Sequence, residues 1–343
     1  MTDHKLENSS QKGGLKAVAL ISGGLDSSLA SLLMKKLGIE IHGLHYSTPF
    51  CTCSKKVEGH EVSAAVFAKQ YGIDLKNIGY FEEYIEVVKH PRFGYGKNMN
   101  PCIDCRIFFF KKAKEYMDEI GAFFLITGEV AGQRAKSQHS RTLMLIENEA
   151  GLQGRILRPL SAGVLPPTIM EEQGLIDRKK LLSITGKSRK SQIELAGELG
   201  YEGILCSSGG CRLIYKEFAK KLKDLFDHNE DNTRTIKLLR YGRHFRIDGV
   251  KFIVGKDEKD NKVLEFFRGE DLLLEAENVN SPICLLAPGA SASVLETAAG
   301  ILLRYSDLAP GVEGTVVIKT PAGRETLSRK ALSNDEIKGY SVM

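Results

Sequence analysis

The stretch Lys16-Ala17-Val18-Ala19-Leu20-Ile21-Ser22-Gly23-Gly24-Leu25-Asp26-Ser27-Ser28 decides how this chain of 343 residues is read. Its apolar run, KAVALIS, predicts a strand covered on both faces. The run passes without a spacer into two glycines and then into a helical pattern. Leu29, Leu32, Leu33 and Leu37 share one face of that helix, and Gly38 ends it. Two glycines let the backbone turn tightly and bring its amides close to an anion. The helix N-terminus adds unpaired N–H groups and the positive end of its dipole. Ser22, Ser27 and Ser28 add hydroxyl donors, and Asp26 is a candidate Mg²⁺ ligand. The GxxxxGK[ST] spacing of a Walker loop is absent. The pattern predicts a phosphate-binding loop at the end of a parallel strand.

Further apolar runs at residues 39–46, 73–80, 123–127 and 156–160 predict strands. Helical patterns lie near residues 26–37, 57–71, 81–89, 102–120, 178–184, 191–199 and 213–226. Such alternation predicts an α/β fold with a parallel sheet. A polar stretch, His228–Thr233, reads as a linker. Beyond it, residues 244–247, 251–254, 262–268 and 314–319 predict strands, with turns at Asp248–Gly249 and Lys259–Asn261, and residues 291–303 predict a helix. The expected organisation is a disordered tail over 1–14, a nucleotide-binding domain over 15–227 and a smaller α+β domain over 228–343. The net charge of +5 divides at residue 228 into +6 before and −1 after.

With 42% hydrophobic and 27% charged residues, the composition excludes a collagen-like or wholly disordered chain. No apolar run approaches about 18 residues and the first residues form no secretory h-region, so a cytoplasmic chain with no membrane partner is expected. In a reducing compartment cysteines more often serve metals or catalysis than structural disulfides. Six of the seven fall into three close pairs: Cys51 and Cys53, Cys102 and Cys105, Cys206 and Cys211. Asn100 and Pro101 read as the N-cap and first residue of a helix that places Cys102 in its first turn, where the dipole favours a thiolate. Cys105 lies on the same face. This pair can hold a metal, cycle as a disulfide, or carry sulfur beside a resolving thiol. Cys284, flanked by Ile283, Leu285 and Leu286, predicts a core thiol. His45, His60 and His139 are assigned no catalytic role.

Ser22-Gly23-Gly24-Leu25-Asp26-Ser27-Ser28 resembles the pyrophosphate loop of the PP-loop ATP pyrophosphatases (adenine nucleotide alpha hydrolase-like proteins). The resemblance implies a Rossmann-like parallel sheet, with ATP and Mg²⁺ bound over Ser22, Gly23, Gly24, Asp26, Ser27 and Ser28. Asn100-Pro101-Cys102-Ile103-Asp104-Cys105 is similar to the catalytic cysteine region of the tRNA 2-thiouridylases. Thr127-Gly128-Glu129-Val130-Ala131-Gly132-Gln133, Ser137-Gln138 and Arg158-Pro159-Leu160 resemble the tRNA 4-thiouridine synthetases. The resemblance brings Gly128 and Gln133 into the nucleotide site. It offers Cys102, Cys105 and Cys211 as ligands of a 4Fe–4S cluster, with Cys102 or Cys211 as the alternative carrier of sulfur. Cys51 and Cys53 match no role in that family and read either as incidental loop thiols or as a relay.

Arg234, Lys237, Arg240, Arg243 and Arg246 recur every three positions among Tyr241, His244 and Phe245, a pattern that suits phosphate contact and base stacking. Gly249–Lys256, Asn261, Leu264, Asp271-Leu272 and Tyr305-Ser306 resemble the RNA-binding domain of NFACT proteins, which implies RNA as a partner. Together the resemblances imply an ATP-dependent tRNA sulfurtransferase that adenylates a uridine carbonyl and replaces its oxygen with sulfur, with 4-thiouridine favoured over 2-thiouridine. The sulfur donor, a cysteine desulfurase or sulfide, is not identified by the sequence. A PP-loop enzyme acting on a small molecule and a non-catalytic RNA-binding adaptor are the competing readings.

Overall fold

The computed structural model describes residues 14–52, 64–79, 81–203, 210–320 and 323–342, together with the backbone of two short strands, Lys55–Val57 and His60–Val62. Cys53 and Cys206 lie outside the described residues. So do almost all of the expected tail and part of the helix expected at 57–71. The chain forms two compact units, residues 1–212 and 213–343.

In the first unit a parallel sheet is built from β1 (Lys16–Leu20), β2 (Glu40–Ser47), β5 (Asp74–Gly79), β6 (Phe124–Ile126) and β7 (Ile156–Leu157), in the order β5-β2-β1-β6-β7. The two short strands, β3 (Lys55–Val57) and β4 (His60–Val62), pair separately as an antiparallel ribbon where a single helix was expected. The helices are α1 (Leu25–Lys36), α2 (Ala64–Gln70), α3 (Glu82–Lys89), α4 (Cys102–Ile120), α5 (Ser140–Ala150), α6 (Ile169–Glu172) and α7 (Lys190–Glu198). Side chains alternate across β1. Ala17 and Ala19 pack with Leu29, Ala30, Phe67, Leu195 and Ala196 of α1, α2 and α7. Val18 faces the other way, onto Ile107, Phe110, Ala113, Met117 and Ile146 of α4 and α5. Helices on both faces make the fold three-layered and Rossmann-like. That is why KAVAL reads as one apolar run rather than an alternating one.

The second unit contains α8 (Lys216–Asp227), α9 (Thr233–Leu238), β8 (Arg243–Ile247), β9 (Val250–Val254), α10 (Glu258–Phe266), β10 (Leu272–Ala276), β11 (Ile283–Leu286), α11 (Ala292–Arg304), β12 (Glu313–Lys319), β13 (Arg324–Lys330) and α12 (Asn334–Ile337). Its antiparallel sheet runs β13-β12-β10-β11-β9-β8. Val294, Ala298, Ile301 and Leu302 of α11 bury one face of it, together with Phe245, Phe252, Cys284 and Val316. Cys284 is thus the core thiol expected. The hairpin β8–β9 turns on Asp248 and Gly249, both at positive φ, as a two-residue turn requires.

Three expectations are corrected here. The division between units precedes α8, because that helix is fastened to the hairpin: Asp224 accepts from Arg246 (2.7 Å) and Lys251 (2.5 Å), and Lys221 donates to the Gly242 carbonyl (3.2 Å). Residues 228–233 are accordingly a helix–helix turn within the unit, with Asn232 capping α9. The strand expected at 262–268 and the turn at 259–261 are the helix α10, begun by Asp257, whose carboxylate accepts the Asp260 N–H at 2.8 Å.

The basic run of this unit is mostly internal bracing. Arg234 donates to the carbonyls of Phe267 and Arg268 and to Asp271, and Arg246 grips Asp224 and Glu230. Arg243 donates to the Gly255 carbonyl and lies 4.2 Å over the Tyr305 ring. Phe245 stacks on Phe252 in the core rather than facing a base. Lys237 and Arg240 face solvent.

Candidate active site

The expected loop follows β1 directly. Gly23 holds φ +78°, open to glycine and strained for other residues, and Gly24 in extended conformation starts α1 with no side-chain cap. The first amides of α1 thus keep their anion-binding capacity. Ser27 folds back to donate to the Gly24 carbonyl (2.9 Å) and to accept the Ser22 N–H (3.2 Å), which fixes the loop's curvature.

A cavity of about 250 Å³ opens over this loop, large enough for a small ligand rather than a lone water. Ser22, Gly24, Asp26 and Ser27 form one end. Tyr84, Cys51, Cys105 and Cys211 line it too, as do Gly128, Gln133 and three arginines, Arg106, Arg134 and Arg189. The glycine loop and two of the expected thiols therefore share one space.

Gly128 comes against the loop backbone: a Cβ there would stand 2.4 Å from the Asp26 carbonyl carbon and the Ser27 nitrogen. Its part in the site is a close approach that only glycine permits. Beside it Glu129 is buried between arginines, with Arg158 Nε at 3.0 Å and Arg106 Nε at 3.5 Å, and Arg158 also grips Glu147. This chain of alternating charges fixes the strand end on which Gly128 sits. The Gln138 amide oxygen is buried without a hydrogen-bond partner, and the Gln133 side chain lies against Asp26.

Burial pushes the Asp26 carboxyl above its ordinary range, against the pull of Arg189, whose guanidinium lies 3.8 Å away. Asp26 Oδ1 and Ser28 Oγ are buried and lack partners. The Gln133 and Gln192 amides also lie against this carboxylate and oppose the effect of burial, and a cation at its buried Oδ1 adds to them. The residues present fit Mg²⁺ at Asp26. Arg134 lies at the mouth of the cavity; burial and the like charge of Arg106 lower its pKa, while Cys102, Glu129 and Asp26 pull it back. Such a repelling pair suits an anion between its members.

Cys102 begins α4 and Cys105 follows one turn later; Pro101, not Asn100, occupies the cap position, without a side-chain bond. The Tyr84 hydroxyl donates to Cys105 Sγ at 3.1 Å. Burial raises the Cys105 thiol pKa, with Tyr84 and Arg106 opposing, and burial together with Cys105, Cys211 and Cys102 raises that of Tyr84 well above its usual value. Of the three expected thiols Cys105 contacts the Tyr84 hydroxyl, Cys105 and Cys211 line the cavity, and Cys102 does not. Among the described residues no three His, Cys, Asp or Glu side chains converge as metal ligands. As placed, Cys102, Cys105 and Cys211 do not converge as the three-thiolate corner of an iron–sulfur cluster.

Sequence reasoning missed Tyr84, Arg106, Arg134 and Arg189. Arg106 and Arg134 directly follow the quoted cysteine and glutamine motifs, so their position was a usable signal; Tyr84 and Arg189 had none. His45 does line the cavity, its Nδ1 paired with the Ile21 carbonyl at 2.7 Å.

Residues 13–164 match the family model described as thiamine biosynthesis protein (ThiI), and residues 242–341 that of the NFACT protein RNA binding domain. A probable tRNA sulfurtransferase of Lysinibacillus sphaericus is 32% identical over 146 residues, 42% of this chain and 34% of the relative. The chain therefore spans about a third of that relative's length. A tRNA-specific 2-thiouridylase MnmA of Acidithiobacillus ferrooxidans is 24% identical over 84% of both chains. A solved 4-thiouridine synthetase–RNA complex with bound ATP aligns with 54% of this chain and 51% of its own at 23% identity, with a TM-score of 0.33. Among the described residues no helix is long and apolar enough to cross a membrane.

Proposed function

We propose, from the match of residues 13–164 to the ThiI family model and of residues 242–341 to the NFACT RNA-binding domain model, that this protein is an ATP-dependent tRNA sulfurtransferase. The observation that carries the reading is the single cavity shared by the pyrophosphate loop and the thiols of Cys105 and Cys211. ATP lies with its phosphates over residues 22–28. Mg²⁺ at Asp26 offsets phosphate charge there, and the amides of α1 hold the pyrophosphate. A uridine carbonyl oxygen attacks the α-phosphate and pyrophosphate departs. Arg106 and Arg134, which line the same cavity, stabilise the remaining phosphate as AMP becomes the leaving group.

Cys211, which faces the cavity, carries the transferable sulfur as a persulfide. Its terminal sulfur attacks the adenylated carbon. Cys102, outside the lining, is the weaker candidate for that role. The target is a uridine of tRNA, and the Gly128–Gln133 loop favours C4 over C2. The second unit supplies RNA contact, with Lys237 and Arg240 as its solvent-facing cations in the former basic run.

The test is incubation of the full-length protein with unmodified tRNA, ATP, Mg²⁺ and a cysteine desulfurase with cysteine, which loads persulfide-level sulfur, followed by nucleoside mass spectrometry. One thiouridine per AMP and pyrophosphate is expected, and absence of any thionucleoside overturns the proposal. Stoichiometric iron in anaerobic protein, with thiolation lost on iron removal, overturns the persulfide route in favour of a cluster.

A further inference from the structure

With most of the basic run spent on internal bracing, the outward faces of α9 and α10 become the exposed basic surface of the second unit. Leu238 of α9 and Leu264 of α10 pack on Ile253 and Leu285, whose side chains leave the sheet on the face opposite α11. Both helices therefore turn their other sides to solvent. In α10 the buried positions are Asp260 and Leu264, while Lys259, Lys262 and Phe266 recur at intervals of three and four on the exposed side. Phe266 is 82% exposed, where the next large hydrophobic side chains among the described residues stand at 52%. Phenylalanine is ordinarily among the most buried residue types. The ring is also held in place: it meets that of Phe267 edge-on with centroids 5.1 Å apart, and Phe267 packs against the buried cluster beneath. Lys256, just before the helix, and Lys237 and Arg240 of α9 are exposed as well. Beside these five cations the exposed carboxylates are Asp257, Glu258, which lies 2.6 Å from Lys262, and Glu265.

We infer that this face of α10 takes an unpaired RNA nucleotide, with its base stacked on Phe266 and neighbouring phosphates on Lys262 and Lys259. The inference rests on the RNA contact proposed above and gives it a surface. Cations alone serve for a duplex, whose bases are already stacked on one another. A projecting ring adds something only where a base is free to stack on it, and it does so for any of the four bases. The stripe from Lys259 to Phe266 rises about 10 Å along the helix. Glu258 and Glu265, seven residues apart, line one flank of the stripe and repel phosphate there, which leaves the two lysines as the path of the backbone. The Glu258–Lys262 pair is fully exposed and holds Lys262 weakly, so a phosphate readily displaces the carboxylate.

The experiment titrates the full-length protein with an unmodified tRNA transcript, a short single-stranded RNA and the same sequence as a duplex. Phe266→Ala should weaken binding of tRNA and single strand by roughly 5–140-fold, with duplex binding and Tm unchanged. Lys259→Gln combined with Lys262→Gln should instead lower the slope of log affinity against log salt by about 1.4 on the single strand. The chain has no tryptophan, so Phe266→Trp places a single reporter at the site. Its fluorescence should be quenched by single-stranded RNA while affinity is kept. Parental affinity in Phe266→Ala, an equal loss on duplex and single strand, or Phe266→Trp fluorescence unmoved at saturation overturns the stacking, as does a parent protein that binds none of the three RNAs. Thiouridine formation is read alongside. Thiolation by the parent with parental RNA binding in Phe266→Ala overturns this surface alone, whereas Phe266-dependent RNA binding with no thiouridine overturns the proposed function alone.

Discussion

Replacing Gly128 by alanine tests the site at its tightest point. The added Cβ would meet the Asp26 carbonyl carbon at 2.4 Å, the Ser27 nitrogen at 2.4 Å and the Asp26 oxygen at 2.5 Å. Non-bonded carbons rest at about 3.5 Å, so strand end and loop must separate by about 1 Å. All three contacts are backbone atoms, and no side-chain rotation relieves them. Overpacking of this kind costs about 1–3 kcal/mol. At roughly 2–4 °C per kcal/mol for a unit of this size, a fall in Tm of several degrees is expected.

The functional loss should be larger than the stability loss. A misplacement of about 1 Å at a positioning loop costs on the order of 100-fold in rate. Tm by calorimetry and tRNA-dependent pyrophosphate release are therefore measured together for Gly128→Ala. Gly197→Ala is the control, because a Cβ there meets nothing within 4 Å in α7; it should stabilise by up to about 1 kcal/mol. Gly128→Ala with parental Tm and parental pyrophosphate release would refute the steric argument.

Other substitutions probe separate parts of the molecule. Arg158→Met leaves Glu129 and Glu147 buried without their shared partner and should cost about 3–5 kcal/mol in denaturant titration. Asp26→Asn should abolish pyrophosphate release. Because the folded carboxyl titrates above its unfolded value, its ionisation costs stability as pH rises through the folded pKa, so the variant at pH 7 should melt no lower than the parent. Lys221 is buried, and desolvation with the nearby charges of Lys256 and Lys251 lowers its pKa to about 8. Between pH 8 and 10.5 the unfolded chain binds the extra proton, so stability should rise with pH by about 3 kcal/mol. Lys221→Met should remove most of that rise when denaturation is compared at pH 7.5 and 10.

The strand, glycine turn and helix of the candidate loop were legible because their determinants are local. Strand, glycine turn and helix from Lys16 to Lys36 are consecutive, and each residue's part follows from its neighbours in the chain. Gly128 was visible as a motif position, but its reason, the approach to Asp26 and Ser27, exists only after folding. The same holds for the cations of residues 234–251. Their spacing looked like an RNA-facing stripe, yet Asp224 and Glu230 neutralise Arg246, and carbonyl groups occupy Arg234 and Arg243. Charge periodicity reports which residues could face solvent, not which find partners. Residues 262–268 misled because the deciding signal, the Asp257 cap, lies ahead of the apolar residues. The pairing of Cys51 with Cys211, which lie opposite each other in an isolated antiparallel bridge, had no sequence signal at all.

That pairing also sets an order of assembly. Thr52 and Gly210, whose bond closes the cavity wall, are 158 residues apart. Closing so long a loop costs about 4–5 kcal/mol of chain entropy, which the packed sheet between them must already have offset. On the ribosome, at roughly 5–20 residues per second, the chain spends about 8–30 s between making these two residues. Throughout that interval β1 and β2 have been made while Cys211 does not yet exist. A nascent chain therefore acquires the glycine loop well before the opposite wall of the cavity, and Cys51 leaves the ribosome ahead of the residue it faces in the finished protein.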